Sequence, residues 1–181
     1  MKKWLKILLF FIGGLLLLVV ASVGFLYYYY WGRQEADKEA FPHNVEYIDP
    51  SEALFNDGFE VCDESRIAQY YNPQRATYSM GKNGLRKFIL NNYENKEYKD
   101  SGYLNIRFII NCKGEAGRYI IHQNNLDLEP TELNEDMVSQ LFQLTRQLKK
   151  WNPNYIRNQY RDSYMYISYR IENGEITEII P

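Results

Sequence analysis

The chain is poor in the side chains that do covalent and metal chemistry. It has two cysteines and two histidines in 181 residues. His43 lies in a charged stretch and His122 at the end of an apolar-alternating one, and neither has a second ligand at metal spacing. The best phosphate-loop candidate, "GKNG" at 81–84, runs on into Leu85-Arg86 where a phosphate cradle needs Lys-Ser/Thr. Cys112 has no base at a recognisable spacing. Glu135-Asp136 reads as the first turn of a helix rather than an acid–base pair. The expectation is a protein that is not an enzyme and carries no cofactor or metal. Basic excess is missing as well: apart from Lys2, Lys3 and Lys6, the chain has 18 basic against 23 acidic side chains. A remainder of that sign repels phosphate backbones, so nucleic acid is not an expected partner.

A further absence sets the compartment: residues 7–26 contain no charge. Twenty residues at helical rise cover the hydrocarbon core of a bilayer, about 30 Å. "MKKWLK" precedes the run and "YYYYWGR" follows it. Lysines on the near side predict a cytoplasmic N-terminus, and Tyr27, Tyr28, Tyr29, Tyr30 and Trp31 would form the interfacial aromatic belt. Residues 1–31 are therefore expected to be a cytoplasmic tail and a single-pass transmembrane anchor spanning about 7–27, of the signal-anchor type. The alternative is a cleaved signal peptide, with Val19-Val20-Ala21 as a poor cleavage site. Everything beyond the anchor would face an oxidising space. Two cysteines there pair more often than not, so Cys62 and Cys112 are expected to form a disulfide; separate buried thiols or a redox-active thiol are the alternatives.

The exported part begins with a charged, weakly apolar stretch, 32–57, read as a linker with too few prolines to be a stiff rod. An N-terminal extension, 58–77, follows, with short strands at 59–62 and 67–71 and a turn at Asp63-Glu64-Ser65. Residues 78–181 make the main domain. Leu85, Phe88 and Ile89 predict a helix over about 83–92. "GYLNIRFIIN" alternates, with Leu104, Ile106, Phe108 and Ile110 on one face, and forms a hairpin with "GRYIIHQ" across a turn at "CKGE". Met137, Leu141, Leu144, Leu148 and Trp151 mark a longer helix, with Lys149 and Lys150 in its last turn and Asn152-Pro153 as its stop. "SYMYISYRI" is a strand with Met165, Ile167, Tyr169 and Ile171 on one face. Asn173-Gly174, flanked by apolar residues, is a type I′ hairpin signal that turns Ile176 and its successors back onto that strand. The fold class is α+β: an antiparallel sheet with two helices packed on it, preceded by a single N-terminal transmembrane helix.

"GYLNIRFIINCKGE", a helix closing in "KKWNP" and a final alternating strand, taken in that order, resemble the C-terminal domain of TonB-type energy transducers over about residues 78–171. Gly102, Phe108, Gly114, Trp151 and Pro153 fall on the positions of that pattern, and "SMGKNGLRKFILNNY" is similar to the glycine-led helix that precedes it. The resemblance implies anchoring in the inner membrane of a two-membrane bacterium, with the C-terminal domain in the periplasm. It also implies energy from a proton-driven motor complex (ExbB and ExbD) and capture of a short outer-membrane transporter peptide by strand addition. The chain departs from the pattern in three ways. Its spacer lacks a long proline-rich stretch, its anchor has no histidine, and Asn173-Gly174 folds the chain over the edge that would receive the peptide.

The expected function is accordingly protein–protein interaction in the cell envelope without motor coupling, and the alternative is a bona fide transducer. The candidate partner-binding strand carries Tyr164, Tyr166, Ser168 and Arg170 away from the core face; cross-strand packing is the plainer reading of the same positions. Expected partners are the membrane, crossed once, and an envelope protein. An outer-membrane transporter, a motor of the ExbB/ExbD type and a second copy of the chain (a homodimer) are the protein candidates.

Overall fold

The computed structural model describes residues 3–32, 47–56, 58–69 and 76–181. Most of the expected linker, residues 33–46 with His43, lies outside the described residues, as do Tyr70 and Tyr71. The chain divides into two compact units, Met1–Tyr47 and Ile48–Pro181.

The first unit is the helix α1, Lys3–Tyr27, which passes into a π-helical turn over Tyr28–Gly32. At helical rise its 25 residues extend about 38 Å, more than a hydrocarbon core requires. None of its side chains is buried by protein, and the apolar stretch Lys3–Tyr30 is long and apolar enough to cross a membrane. Ser22 Oγ donates to the Leu18 carbonyl at 2.8 Å, so this hydroxyl needs no partner from lipid. These features fit a single-pass anchor.

In the second unit a two-residue strand β1 (Thr77–Tyr78) precedes helix α2 (Gly81–Asn92). Strands β2 (Gly102–Ile110) and β3 (Ala116–Asn124) form the expected hairpin, and helix α3 (Glu135–Arg146) follows. Short strands β4 (Trp151–Asn152), β5 (Asn154–Ile156) and β6 (Gln159–Arg161) lead into β7 (Ser163–Glu172) and β8 (Glu175–Ile180). The main sheet has four strands in the order β3-β2-β7-β8, every pair antiparallel, while β1 pairs with β4 and β5 with β6. The fold is thus mixed α+β behind an apolar N-terminal helix.

Strand alternation builds the core. Leu104, Ile106, Phe108 and Ile110 from β2 and Ile167, Tyr169 and Ile171 from β7 are all fully buried. They pack against Leu85 and Ile89 of α2 and Met137 and Leu141 of α3 in a single cluster. Asn134 caps α3 by accepting the Met137 N–H at 3.1 Å, and Glu135 and Asp136 occupy its first turn. Phe108 lies between Tyr119 and Trp151, with ring centroids 5.0 Å and 5.5 Å away. The Tyr169 hydroxyl, on the same face, meets Thr145 Oγ1 at 2.7 Å. Burial pushes the Tyr119 phenol up to about 12 and raises Tyr169 further in the same direction.

Three expectations are corrected here. Helix α3 ends at Arg146, and Trp151-Asn152 pairs with Thr77-Tyr78 as a strand, so Lys149 and Lys150 sit beyond the helix. Leu148 and Trp151 are buried all the same, at 1% and 6% exposure. The apolar spacing is met by a bend that delivers both residues to one core, and Asn152, preceding Pro153, favours extended backbone. Secondly, the linker stops short of residue 57. Ile48 is 1% exposed and packs with Ile109 and Tyr164 on the sheet face opposite the helices. Leu54 forms an antiparallel bridge with Tyr119, so 48–56 belongs to the folded unit. Thirdly, 59–62 is not a strand. Phe59 and Val61 instead cover the second face as irregular chain, and Phe59 lies flat on Gly117, where any Cβ would overlap its ring. The turn at Asp63-Glu64-Ser65 is one turn of 3₁₀ helix, Glu64–Arg66, capped by Asp63. Of the expected strand 67–71, the described part contributes one parallel bridge, Ala68 to Ser163.

Candidate functional site

The C-terminal hairpin is held at both its turn and its far strand. Asn173 and Gly174 both have positive φ, 52° and 77°, as a type I′ turn requires. A Cβ on Gly174 would lie 2.4 Å from the Tyr98 carbonyl oxygen, so the position needs glycine for space as well as for conformation. The loop between α2 and β2 grips the turn. Gly174 N–H donates to the Asp100 carbonyl at 2.9 Å and Asn173 N–H to Ser101 Oγ at 2.9 Å. Tyr93 donates its hydroxyl proton to the Gly174 carbonyl at 2.6 Å, and Asn95 Nδ2 donates to Glu175 Oε1 at 2.8 Å.

Ile171 faces Ile176 and Glu172 faces Glu175, the register the dipeptide implies. The register then shifts by one residue at Arg170/Ile171, with Thr177 Oγ1 donating to the Arg170 carbonyl at 3.3 Å. This bulge repairs an alternation that otherwise fails: Ile176 and Ile179, three apart, both reach the core, while Glu178 and Ile180 stay exposed. Strand β8 is ordered as far as Ile180, which pairs with Ser168. It covers 168–172 of β7 and stops there. Near the other end of β7, Ala68 donates to the Asp162 carbonyl at 2.8 Å and accepts the Tyr164 N–H at 2.9 Å.

The candidate partner-binding residues are therefore not on a free edge. Tyr164 is 5% exposed inside the second cluster, with the Arg107 guanidinium 5.5 Å from its ring centroid. Ser168, also buried, donates to Asn105 Oδ1 at 2.6 Å across the sheet. Arg170 pairs with Glu172 at 2.9 Å, and Tyr166 is half-buried. Cross-strand packing accounts for Tyr164 and Ser168. Among the described residues no strand lies beyond β8, and its outer edge carries the exposed Thr177, Glu178 and Ile180. The opposite edge, β3, is bridged by Leu54 at Tyr119 and by Thr131, which donates to the Gln123 carbonyl at 3.2 Å.

The five motif positions brace this sheet. Gly102 passes so close to the Asn124 carbonyl that a Cβ would sit 2.3 Å from it. Gly114, at φ 82°, faces the Trp151 carbonyl at a virtual 2.6 Å and the Pro153 ring at 3.5 Å, which joins the first hairpin's turn to β4. The Trp151 indole N–H donates to the Leu148 carbonyl at 2.6 Å.

Cys62 and Cys112 are bonded to each other, with Cα atoms 6.1 Å apart. Sequence reading did not find what sits behind them. Asp162, 1% exposed, takes three backbone N–H groups on one carboxylate: Cys112 on Oδ1 at 2.9 Å, Asp63 on Oδ2 at 2.8 Å, and Cys62 across both oxygens at 3.1 and 3.0 Å. The two sulfurs and this carboxylate lie within 4.8 Å of one another, but the sulfurs are joined and the oxygens are occupied by N–H donors. The cluster works as a clamp. Asn111, fully buried, braces it by accepting from the Lys113 and Glu115 N–H groups and donating to the Glu60 carbonyl at 3.0 Å. Arg118, at φ 52°, pairs with Glu64 from the same extension. His122 lies exposed on β3, with no second histidine among the described residues.

No family model, curated protein or solved structure matches this chain. The functional reading therefore rests on the geometry of the chain itself.

Proposed function

We propose that the chain is a membrane-anchored interaction module of the bacterial envelope, with a TonB-like C-terminal domain in the periplasm and no coupling to a proton-driven motor. One observation carries the reading: the chain's own C-terminal strand, locked by the 93–101 loop, occupies the edge of β7 over 168–172. A domain built to receive a transporter peptide there would leave those backbone groups open. The apolar helix α1 supports the same reading, since residues 7–26 offer no ionisable group to sense a proton gradient. Contact with an envelope partner would run through the outer edge of β8, which no strand among the described residues pairs and where Glu178 discourages indiscriminate pairing.

Replacing α1 by an unrelated apolar span tests this directly. With a photo-crosslinker at Glu178, the same envelope adduct is expected from both versions. An adduct to motor subunits from the native anchor, lost on replacement, would instead favour the transducer. The orientation is open to a separate measurement. Protease added to intact spheroplasts is expected to digest the unit Ile48–Pro181; protection until lysis would reverse the topology.

A further inference from the structure

A hollow of ligand size lies away from the sheet edge. It is an open cleft of about 520 Å³ between the 55–59 segment, the first hairpin's turn and the end of α3. Tyr119, Leu148 and Phe59 give it an apolar floor and wall, and Arg146 and Lys149 stand at its rim with Glu115. That volume is in the range of sites that take a small ligand or a single peptide residue, and the lining mixes an apolar side with a charged rim.

Arg146 is the informative residue. Its guanidinium carbon is 3.6 Å from the Phe55 ring centroid, and Nη1 donates to Gln143 Oε1 at 3.2 Å. No carboxylate pairs with it among the described residues. The rim's carboxylate, Glu115, accepts from Asn111 Nδ2 at 2.7 Å instead. Phe55 is held at φ 51°, a conformation bulky side chains rarely adopt; its ring lies against the Arg146 guanidinium and meets the Phe142 ring at a tilt, centroids 5.5 Å apart. A strained aromatic fixing a guanidinium that has no carboxylate partner among the described residues, at the rim of this cleft, is pre-organised for an anion, and stacking leaves the Nε and Nη2 side of the guanidinium to make paired hydrogen bonds. Arg146 and Lys149 together outweigh the partial negative charge at the end of α3.

We infer that this cleft binds an apolar, preferably aromatic, group that carries a carboxylate, the ring entering over Tyr119 and Leu148 and the carboxylate meeting Arg146. Two sources share that chemistry, a free aromatic acid and the C-terminal residue of a polypeptide.

The test uses the full chain in lipid nanodiscs, titrated calorimetrically against empty nanodiscs. N-acetyl-L-phenylalanine is expected to bind about tenfold or more tightly than N-acetyl-L-phenylalaninamide, which has the ring without the charge. Arg146→Gln is expected to erase that preference. Phe55→Gly relieves the backbone and removes the stack, so it is expected to weaken the acid without lowering the thermal midpoint. Gly-Gly-Phe binding more tightly than the N-acetyl acid would identify a polypeptide terminus as the ligand, and equal binding a free acid. The proposal is overturned if neither acid binds by about 10 mM, or if Arg146→Gln keeps the full preference of acid over amide.

Discussion

Asp162→Ala is expected to destabilise the second unit by about 3–5 kcal/mol, through the loss of three charge-assisted hydrogen bonds to one buried acceptor. The lower end of that range reflects geometry. Cys62 and Asp63 are exposed, so water can replace part of what their N–H groups lose, whereas Cys112 is half-buried. Urea unfolding of the full chain, followed by Trp151 fluorescence in a Trp4→Phe, Trp31→Phe background, measures the effect. Asp162→Asn keeps one acceptor oxygen but turns an amide donor toward N–H groups, so it is expected to recover less than half of the loss. A midpoint unchanged by either substitution would mean that the disulfide and the Ile48–Ile109–Tyr164 cluster hold the extension without the carboxylate.

Deleting residues 173–181 is expected to have a comparable cost and a visible consequence. It removes Ile176 and the buried Ile179 from the core, about 3–5 kcal/mol of apolar burial. It also exposes the edge of β7 over 168–172. The truncated chain is expected either to aggregate or to capture an extended peptide that the full chain ignores. Size-exclusion chromatography and titration with a transporter-derived strand peptide separate those outcomes. If the full chain already binds that peptide along β7 and the truncation changes nothing, the self-capping interpretation fails and a plain transducer gains.

Features with a fixed local period were readable in the sequence. The two-residue alternation of 102–110 and 163–171, the Asn-Gly turn and the acidic first turn of α3 all follow from rules that act within a few residues. What escaped depends on distant chain. The end of α3 is decided by pairing between residues 77–78 and 151–152, and nothing near Trp151 announces a strand. Ile48, Ala53, Phe59, Val61 and Ile67 have no common spacing, so a segment that covers half a sheet face reads as linker and irregular extension. The bulge at Thr177 is invisible locally, although the mismatch between Ile176 and Ile179 was its trace. Asp162 gave no signal at all: a single acid ahead of a strand looks like surface, and its role exists only once three other backbone positions arrive. The cleft is of the same kind, since Phe55 and Arg146 are 91 positions apart in the chain.

The strand order β3-β2-β7-β8 also bears on how the chain comes to be folded. It consists of two hairpins, each closed by a short turn, and one pairing between them in which Gly102 meets Ile171 and Ile110 meets Ser163. Hairpins of this kind form in microseconds, whereas the central pairing must close a loop of more than fifty residues and so comes late. In the proposed topology, the first hairpin would reach the far side of the membrane before β7 does. Until β7 arrives, the edge of β2 bearing Leu104, Ile106 and Phe108 has no neighbour, and the nascent domain is most vulnerable to aggregation in that interval.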